Sequence, residues 1–338
     1  MNVTVRQNAD TDAAPFIAQR ADPYVIFNSD DGFYYFTSSW PAFFDAEHGY
    51  NRISLRRSRT LRGLADAEEN VIWTAHPSGA QSRHIWAPEL HKIGGRWYVF
   101  YAATSDNDIW SIRPWVLECT DPSRLTDPDA WIERGRCVNK DGGYEGAFDV
   151  FSLDMTTFES GGKQYAIWAY KPNASKLLLA EIDPAEPWRL ASDPIILSSP
   201  EYRWEMINET VNEGPAVLKH GGKIYVTFSA SATGPEYCIG LLRADEGSDI
   251  MDAANWEKSS KPILKTGDFP GQYGPGHNSF TADDDGNTVI VYHSRDQKCF
   301  DNECEWEDAN PLYDPCRNAN IAYVQFAADG SLIFTQEK

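Results

Sequence analysis

Three carboxylates stand at the same place in segments that read alike: Asp22 in Ala21-Asp22-Pro23, Asp154 in Ser152-Leu153-Asp154, and Glu213 in Asn212-Glu213-Gly214-Pro215. Two further segments carry Ile85-Trp86-Ala87-Pro88-Glu89 and Gly274-Pro275-Gly276-His277-Asn278 there. With 50 acids in the chain a single one means little; acids at a recurring place mean more. Taken singly, Asp22 also suits a turn cap, and Glu213 suits pairing with an arginine. Carboxylates gathered in one pocket cannot all ionise comfortably, because desolvation and mutual repulsion raise at least one pKa. An acid and a base then share a site, which is what glycosidic bond cleavage needs. One carboxylic acid protonates the leaving oxygen, and another carboxylate activates water or attacks. Trp86 and Trp40 offer flat apolar faces suited to a sugar ring, whereas most of the 12 tryptophans are expected to pack the interior.

Each of these segments opens a β-hairpin. Val211–Ala230, VNEGPAVLKHGGKIYVTFSA, shows the unit: a short hydrophobic strand, a Gly221-Gly222 turn, and a strand of β-branched and aromatic residues. Five copies recur, with turn glycines Gly32, Gly95, Gly162, Gly222 and Gly286, about 64 residues apart. A third strand follows each hairpin (Ile53–Ser58, Pro114–Cys119, Lys176–Glu181, Cys238–Ala244, Ala319–Phe326), and a fourth is expected around Trp73, Trp131, Trp188, Trp256 and Ile333. Four strands at a fixed period predict an all-β, five-bladed β-propeller with antiparallel blades around a central channel, since one blade cannot bury its own faces. Residues 1–338 are expected to form one domain. In such a ring the first strand of each blade lines the channel, so the five segments above converge on its axis. The pattern does not reveal how the ring closes.

A formal net charge of −20 argues against nucleic acid and anionic membrane surfaces as partners, and no apolar run is long enough to span a bilayer. The N-terminal segment lacks a hydrophobic signal core, so the protein is expected to be cytoplasmic, or secreted with its signal already removed. The six cysteines contain no CxxC pair, and Cys299 and Cys304 are loosely spaced for zinc. They are expected to be reduced thiols, with Cys119 and Cys137 close enough on neighbouring strands to pair. Asn173-Ala-Ser and Asn208-Glu-Thr match the glycosylation sequon, which matters only along a secretory route.

The segments ADPYV, IWAPELHKIGGRWYVFYAA, LDMTTFESGGKQYAIWA, NEGPAVLKHGGKIYVTFSAS and GPGHNSF, in this order from about Ala21 to Phe326, resemble glycoside hydrolase family 43. The WAPE and NEGP segments are most similar to its exo-acting α-L-arabinofuranosidases. The resemblance implies a five-bladed propeller that inverts the anomeric centre of an arabinose-containing oligosaccharide or polysaccharide, acts as a monomer and requires no cofactor. It implies Asp22 as the base that activates water, Glu213 as the general acid and Asp154 as the aspartate that tunes it. Asp154 is preferred to the nearby Asp149 because it stands directly before TTFESGGKQY. His277 would face a calcium, another cation or water in the channel, and Arg317 would lie near the substrate, as would Trp86, Glu89 and Asn212. The cysteine-rich Lys298–Asp314 departs from the family pattern.

Two other readings stand beside this one. The same fold serves β-xylosidases and endo-arabinanases, and the long segments Trp40–Asn51, Ala75–His84 and Lys298–Cys316, placed to block one end of a groove, favour exo action. A propeller that only binds sugar is the alternative from another class, but it has no need of three acids and a histidine converging on the channel.

Overall fold

The computed structural model describes residues 3–6, 14–42, 49–300, 303, 312–313 and 316–336. Its strands form five sheets that are the blades of a five-bladed β-propeller. Blade one comprises Ala21–Asn28, Phe33–Ser39, Arg52–Ser58 and Glu69–Thr74. Blade two comprises Arg83–Ile93, Arg96–Ser105, Asp108–Cys119 and Trp131–Arg136. Blade three is built from Ser152–Ser160, Lys163–Tyr170, Lys176–Asp183 and Glu186–Leu190, with Ile195–Ser198 pairing on its third strand. Asn212–His220, Lys223–Ala230, Cys238–Asp245 and the short Glu257–Lys258 make blade four. Blade five is Gln272–Ala282, Thr288–Asp296, Arg317–Phe326 and Leu332–Thr335.

The hairpins follow from their turns. At Gly94-Gly95, Gly161-Gly162 and Gly221-Gly222 both glycines have positive φ. That is the type I′ turn whose twist matches the flanking strands, and only glycine adopts it without steric cost.

Alternation along the strands places one side-chain row on each side of a blade, and both rows are buried against neighbours. Tyr35 of blade one joins Ile53 and Leu55 in packing on Leu90, Trp97 and Val99 of blade two. The adjacent Tyr34 and Phe36 face the other way, onto Val289 and Val291 of blade five. Tyr98 and Phe100 meet Ala166 and Trp168 of blade three. Ile167 and Leu179 meet Val226 and Phe228 of blade four, and Tyr225 meets Ile290 and Tyr292 of blade five. Each seam thus has its own hydrophobic core.

The ring closes by a device the sequence left unread. Val3–Arg6 lies parallel to Leu332–Thr335 as a fifth strand on blade five, and an isolated bridge joins Ile17 to Ala319. Cys119 and Cys137 are not paired: the Cys119 thiol donates to Asp121 O, and Cys137 Sγ lies 3.7 Å from Met155 Sδ. Cys299 is disulfide-bonded, which corrects the expectation of reduced thiols throughout. Among the described residues no helix is long and apolar enough to cross a membrane.

Phe334 is fully buried on the strand that pairs with Val3–Arg6 and packs in one cluster with Val3 and Val5, so truncating it weakens closure. Phe334→Ala is expected to cost about 3–5 kcal/mol through lost burial and the cavity left behind. Urea unfolding followed by tryptophan fluorescence would measure this, and an unchanged midpoint would show that closure does not limit stability.

Candidate active site

The first strand of every blade breaks register, between Ala21 and Tyr24, Trp86 and Glu89, Leu153 and Thr156, Glu213 and Ala216, and Gly276 and Ser279, with a second break upstream in blades two and five. Inside each of the named breaks one residue adopts left-handed backbone: Asp22, Ala87, Asp154, Gly214 and His277, with φ of 55°, 45°, 55°, 51° and 39°. Bulges of this kind re-aim side chains beside active sites. A non-glycine residue there carries about 1–3 kcal/mol of strain unless its surroundings fix it.

They do. Asp22 N–H donates to His293 Nδ1 at 3.1 Å and Ala87 N–H to Ser39 Oγ at 2.8 Å. Gly214 N–H donates to Asp154 Oδ2 at 3.0 Å, and His277 N–H to Ser229 Oγ at 2.7 Å. In each case the acceptor belongs to the preceding blade of the ring.

This register corrects the equivalence read from the sequence. Asp22, Asp154 and His277 occupy one position, but Glu213 precedes its bulge residue by one, and Glu89 follows Ala87 by two. Because side-chain direction alternates, these offsets decide who reaches the channel. Asp22, Asp154, Glu213, His277, Arg317 and Trp86 line one cavity of about 840 Å³. Glu89 does not: it is buried against His91, Oε2 to Nε2 2.7 Å, with Tyr24 on the other ring nitrogen at 3.3 Å. Nor does Asn212, whose side chain points into the blade, donating to Glu205 Oε1 and accepting from Ser198 Oγ, each at 2.8 Å. Asp149 also lies off the cavity and accepts from Tyr170 OH. Trp40 is held between the guanidinium groups of Arg20 and Arg52.

Asp22 sits at the positive end of the site. Ser39 Oγ donates to its Oδ2 at 2.5 Å, and its Oδ1 lies 3.3 Å from His277 Nδ1 and 3.5 Å from Arg317 Nη1. Burial alone would raise its pKa, but the charges of His277 and Arg317, with His293, hold it well below the carboxylate range. His293 is pushed down to about 4 by burial, consistent with a neutral ring whose Nδ1 accepts from the Asp22 amide. Asp154 and Glu213 behave oppositely. Burial is the main cause that raises both, with their mutual charge adding for Asp154; His277 opposes it in each, as does the hydrogen bond from Tyr237 OH to Glu213 Oε1 at 2.7 Å. His277, 3.3 Å from Asp22 and 4.0 Å from Asp154, is destabilised as a cation by burial, yet the surrounding carboxylates raise its pKa. The cavity therefore holds an ionised carboxylate and a pair that retains a proton.

The cation expected beside His277 was tested against its donors. Calcium takes roughly six to eight oxygen ligands. His277 Nδ1 already faces two carboxylates, and among the described residues no group of three or more His, Cys, Asp or Glu side chains is arranged to hold an ion. The residues do not fit a protein-built calcium site.

Several lining residues escaped the sequence. Tyr237 reaches Glu213 from the loop after the second strand of blade four and stacks on His293 at 5.6 Å. It fits because the neighbouring Gly276 is bare: a Cβ there would lie 2.0 Å from the Tyr237 ring. Trp110, Phe151, Leu153 and Lys171 also line the cavity. Of the segments expected to block the groove, Lys298–Cys316 contributes Leu312 to the lining, whereas Tyr50 of Trp40–Asn51 is buried behind it, its hydroxyl 3.3 Å from Arg317 Nη2. Ala75–His84 supplies His84, stacked on Trp86 at 4.3 Å. Residues 43–48 and most of 301–315 lie outside the described residues.

Residues 13–332 match the family model for Glycosyl hydrolases family 43. The chain is 44% identical over 322 residues to the "Extracellular exo-alpha-(1->5)-L-arabinofuranosidase" of Streptomyces avermitilis, covering 94% of this chain and 62% of that protein. It is 48% identical over 289 residues to the enzyme of the same name from Streptomyces chartreusis, covering 84% and 82%. It thus spans less than two thirds of the first relative's length. Among solved structures, an alpha-L-arabinofuranosidase from Lactobacillus brevis superposes with a TM-score of 0.82 at 40% identity over 94% of both chains. On the family model and these relatives, the chain belongs to glycoside hydrolase family 43.

Proposed function

We propose that this chain is an inverting exo-α-L-arabinofuranosidase that removes terminal arabinofuranosyl units from α-1,5-linked arabinan or its oligosaccharides. The observation that carries the reading is the division of charge in one cavity, with Asp22 held ionised while Asp154 and Glu213 are held toward their protonated forms. The names of the relatives above support the sugar and the exo action. Asp22 takes a proton from a water on one face of the bound sugar, and Glu213 delivers its proton to the departing oxygen on the other. Asp154, beside His277 and accepting from the Gly214 amide, keeps Glu213 protonated and fixes the bulge next to it. Trp86 and Leu153 supply apolar walls, and Arg317 anchors Asp22. This scheme needs no cofactor.

The relatives' names also favour action outside the cell, and a polymeric substrate is met there; nothing supports the cytoplasmic placement expected from the N-terminus. Fractionating the native culture and assaying medium against cell lysate checks this, with activity confined to the lysate as the contrary result.

Wild-type protein is expected to release arabinose one unit at a time from α-1,5-arabino-oligosaccharides and none from xylo-oligosaccharides. Glu213→Gln and Asp22→Asn should each lower kcat by about 10²–10⁴-fold. Xylose release, or internal fragments alone, would overturn the substrate; sugar binding with no release would leave only a binding protein.

The pH profile tests the acid's surroundings. A raised acid loses its proton as pH rises, so kcat/KM should fall on the alkaline side of the pair's apparent pKa. Asp154→Asn removes a like charge and should move that limb to lower pH. Tyr237→Phe removes a donor that favours the ionised form and should move it to higher pH. Shifts in the same direction, measured on one substrate, would contradict the assignment of Glu213 as the acid.

A further inference from the structure

Glu205 and Lys258 form an ion pair outside the cavity, Nζ to Oε1 2.5 Å, with the carboxylate fully buried and the lysine side chain 11% exposed. Glu205 closes the short turn Arg203–Glu205 between blades three and four, and Lys258 ends the outermost strand of blade four. Each oxygen of the carboxylate receives two donors. Oε2 accepts from the Glu201 and Tyr202 amides at 2.8 and 2.7 Å. Oε1 accepts from Lys258 and from Asn212 Nδ2, the latter at 2.8 Å. The ammonium lies 5.1 Å from the centre of the Phe228 ring and donates to Ser199 O at 2.7 Å and to Asn212 Oδ1 at 3.3 Å. Burial lowers the Lys258 pKa, and Glu205 opposes that shift. Taking two charges out of water is costly even when they pair, so a buried ion pair is a poor way to gain stability. What this one does is hold a single side chain from both ends of its carboxamide.

That side chain is Asn212, the neighbour of Glu213. It is fully buried, and all four of its polar atoms are bonded. Besides Glu205 and Lys258, Nδ2 donates to Val211 O and Oδ1 accepts from Ser198 Oγ, each at 2.8 Å. Its N–H donates to Ser175 O at 2.9 Å, and its C=O accepts from Ser175 Oγ at 3.0 Å. The Val211 amide in turn donates to Glu205 O at 3.1 Å. Successive residues of a strand face opposite ways, so locking Asn212 into the blade sends Glu213 to the cavity.

The acid has little else to hold it. Among the described residues its carboxyl accepts one hydrogen bond, from Tyr237 OH. Its placement is therefore set by the backbone on either side, where the Gly214 amide is fixed by Asp154 and Asn212 is fixed by the buried pair. None of Asn212, Glu205 and Lys258 lines the cavity.

We infer that the Lys258–Glu205–Asn212 network positions the general acid: Asn212, Glu205 and Lys258 are positioning residues that act on the reaction through Glu213 and touch no substrate. The inference rests on Glu213 being the acid. It has a kinetic signature that loss of folded protein lacks. A departing sugar oxygen needs the acid's proton, whereas a nitrophenolate leaves with little help. A misplaced acid therefore slows release of the first far more than release of the second.

The test measures kcat and KM on α-1,5-arabinobiose and on a nitrophenyl α-L-arabinofuranoside. The variants are Asn212→Ala and the double variant Glu205→Gln with Lys258→Met, which removes both charges and leaves neither unpaired. Each should lose about tenfold or more on the disaccharide, part of the roughly 10²–10⁴-fold that an acid supplies. The loss should fall on kcat with KM little changed, and the nitrophenyl substrate should be affected much less. Both substrates are assayed on the same sample, so the ratio of the two losses is readable even in a variant whose Tm is lowered. Equal losses on the two substrates, or an undiminished rate on the disaccharide, would overturn the positioning role. Glu213→Gln is the reference and should show the same dependence on leaving group more strongly. If it instead loses both substrates equally, the assignment of Glu213 as the acid is what fails.

Discussion

The site depends on a backbone amide being passed from one blade to the next. At four of the five first-strand bulges the left-handed residue's N–H is accepted by a side chain of the preceding blade: His293, Ser39, Asp154 and Ser229. The acceptors also serve the chemistry. Ser39 takes the Ala87 amide and donates to Asp22; Asp154 takes the Gly214 amide and faces His277. The geometry of each channel residue is therefore set by the seam beside it, and strain of about 1–3 kcal/mol per bulge is offset by hydrogen bonds in a water-poor interior.

From that frame the charges sort themselves. Arg317 and His277 lie at Asp22, so one carboxylate is held ionised despite full burial, while Asp154 and Glu213 face each other with less positive charge. Two kinds of carboxyl in one cavity arise from where the cations sit, without any difference in the acids' own chemistry. Tyr237 opposes the trend at Glu213 by donating to it, which favours the carboxyl's ionised form.

The architecture was legible because propeller hairpins are local. Gly-Gly turns and two-residue alternation announce each blade, and Asp22, Asp154, Glu213, His277, Trp86 and Arg317 all reach the cavity predicted for them. What escaped is what depends on one-residue register or on distant pairing. Glu89 and Asn212 sit within two residues of channel positions, yet they face His91 and Glu205 because the bulge resets the alternation. Closure by Val3–Arg6 joins segments more than 300 residues apart with no motif to mark it. Tyr237 comes from a loop whose path is set by the bare Gly276 beside it.

The parallel strand at the ring's seam also sets the order in which the machinery comes into being. Asp22 is synthesised well before His277 and Arg317, the charges that hold it ionised, which belong to the fifth blade. Until the strands of blade five emerge, the seam between blades five and one cannot pack, and until Leu332–Thr335 emerges Val3–Arg6 has no strand to pair with; long-range closure of this kind is slow compared with forming hairpins. The partly made chain therefore carries Asp22 without the charges that hold it ionised, and the cavity's division of charge is acquired late.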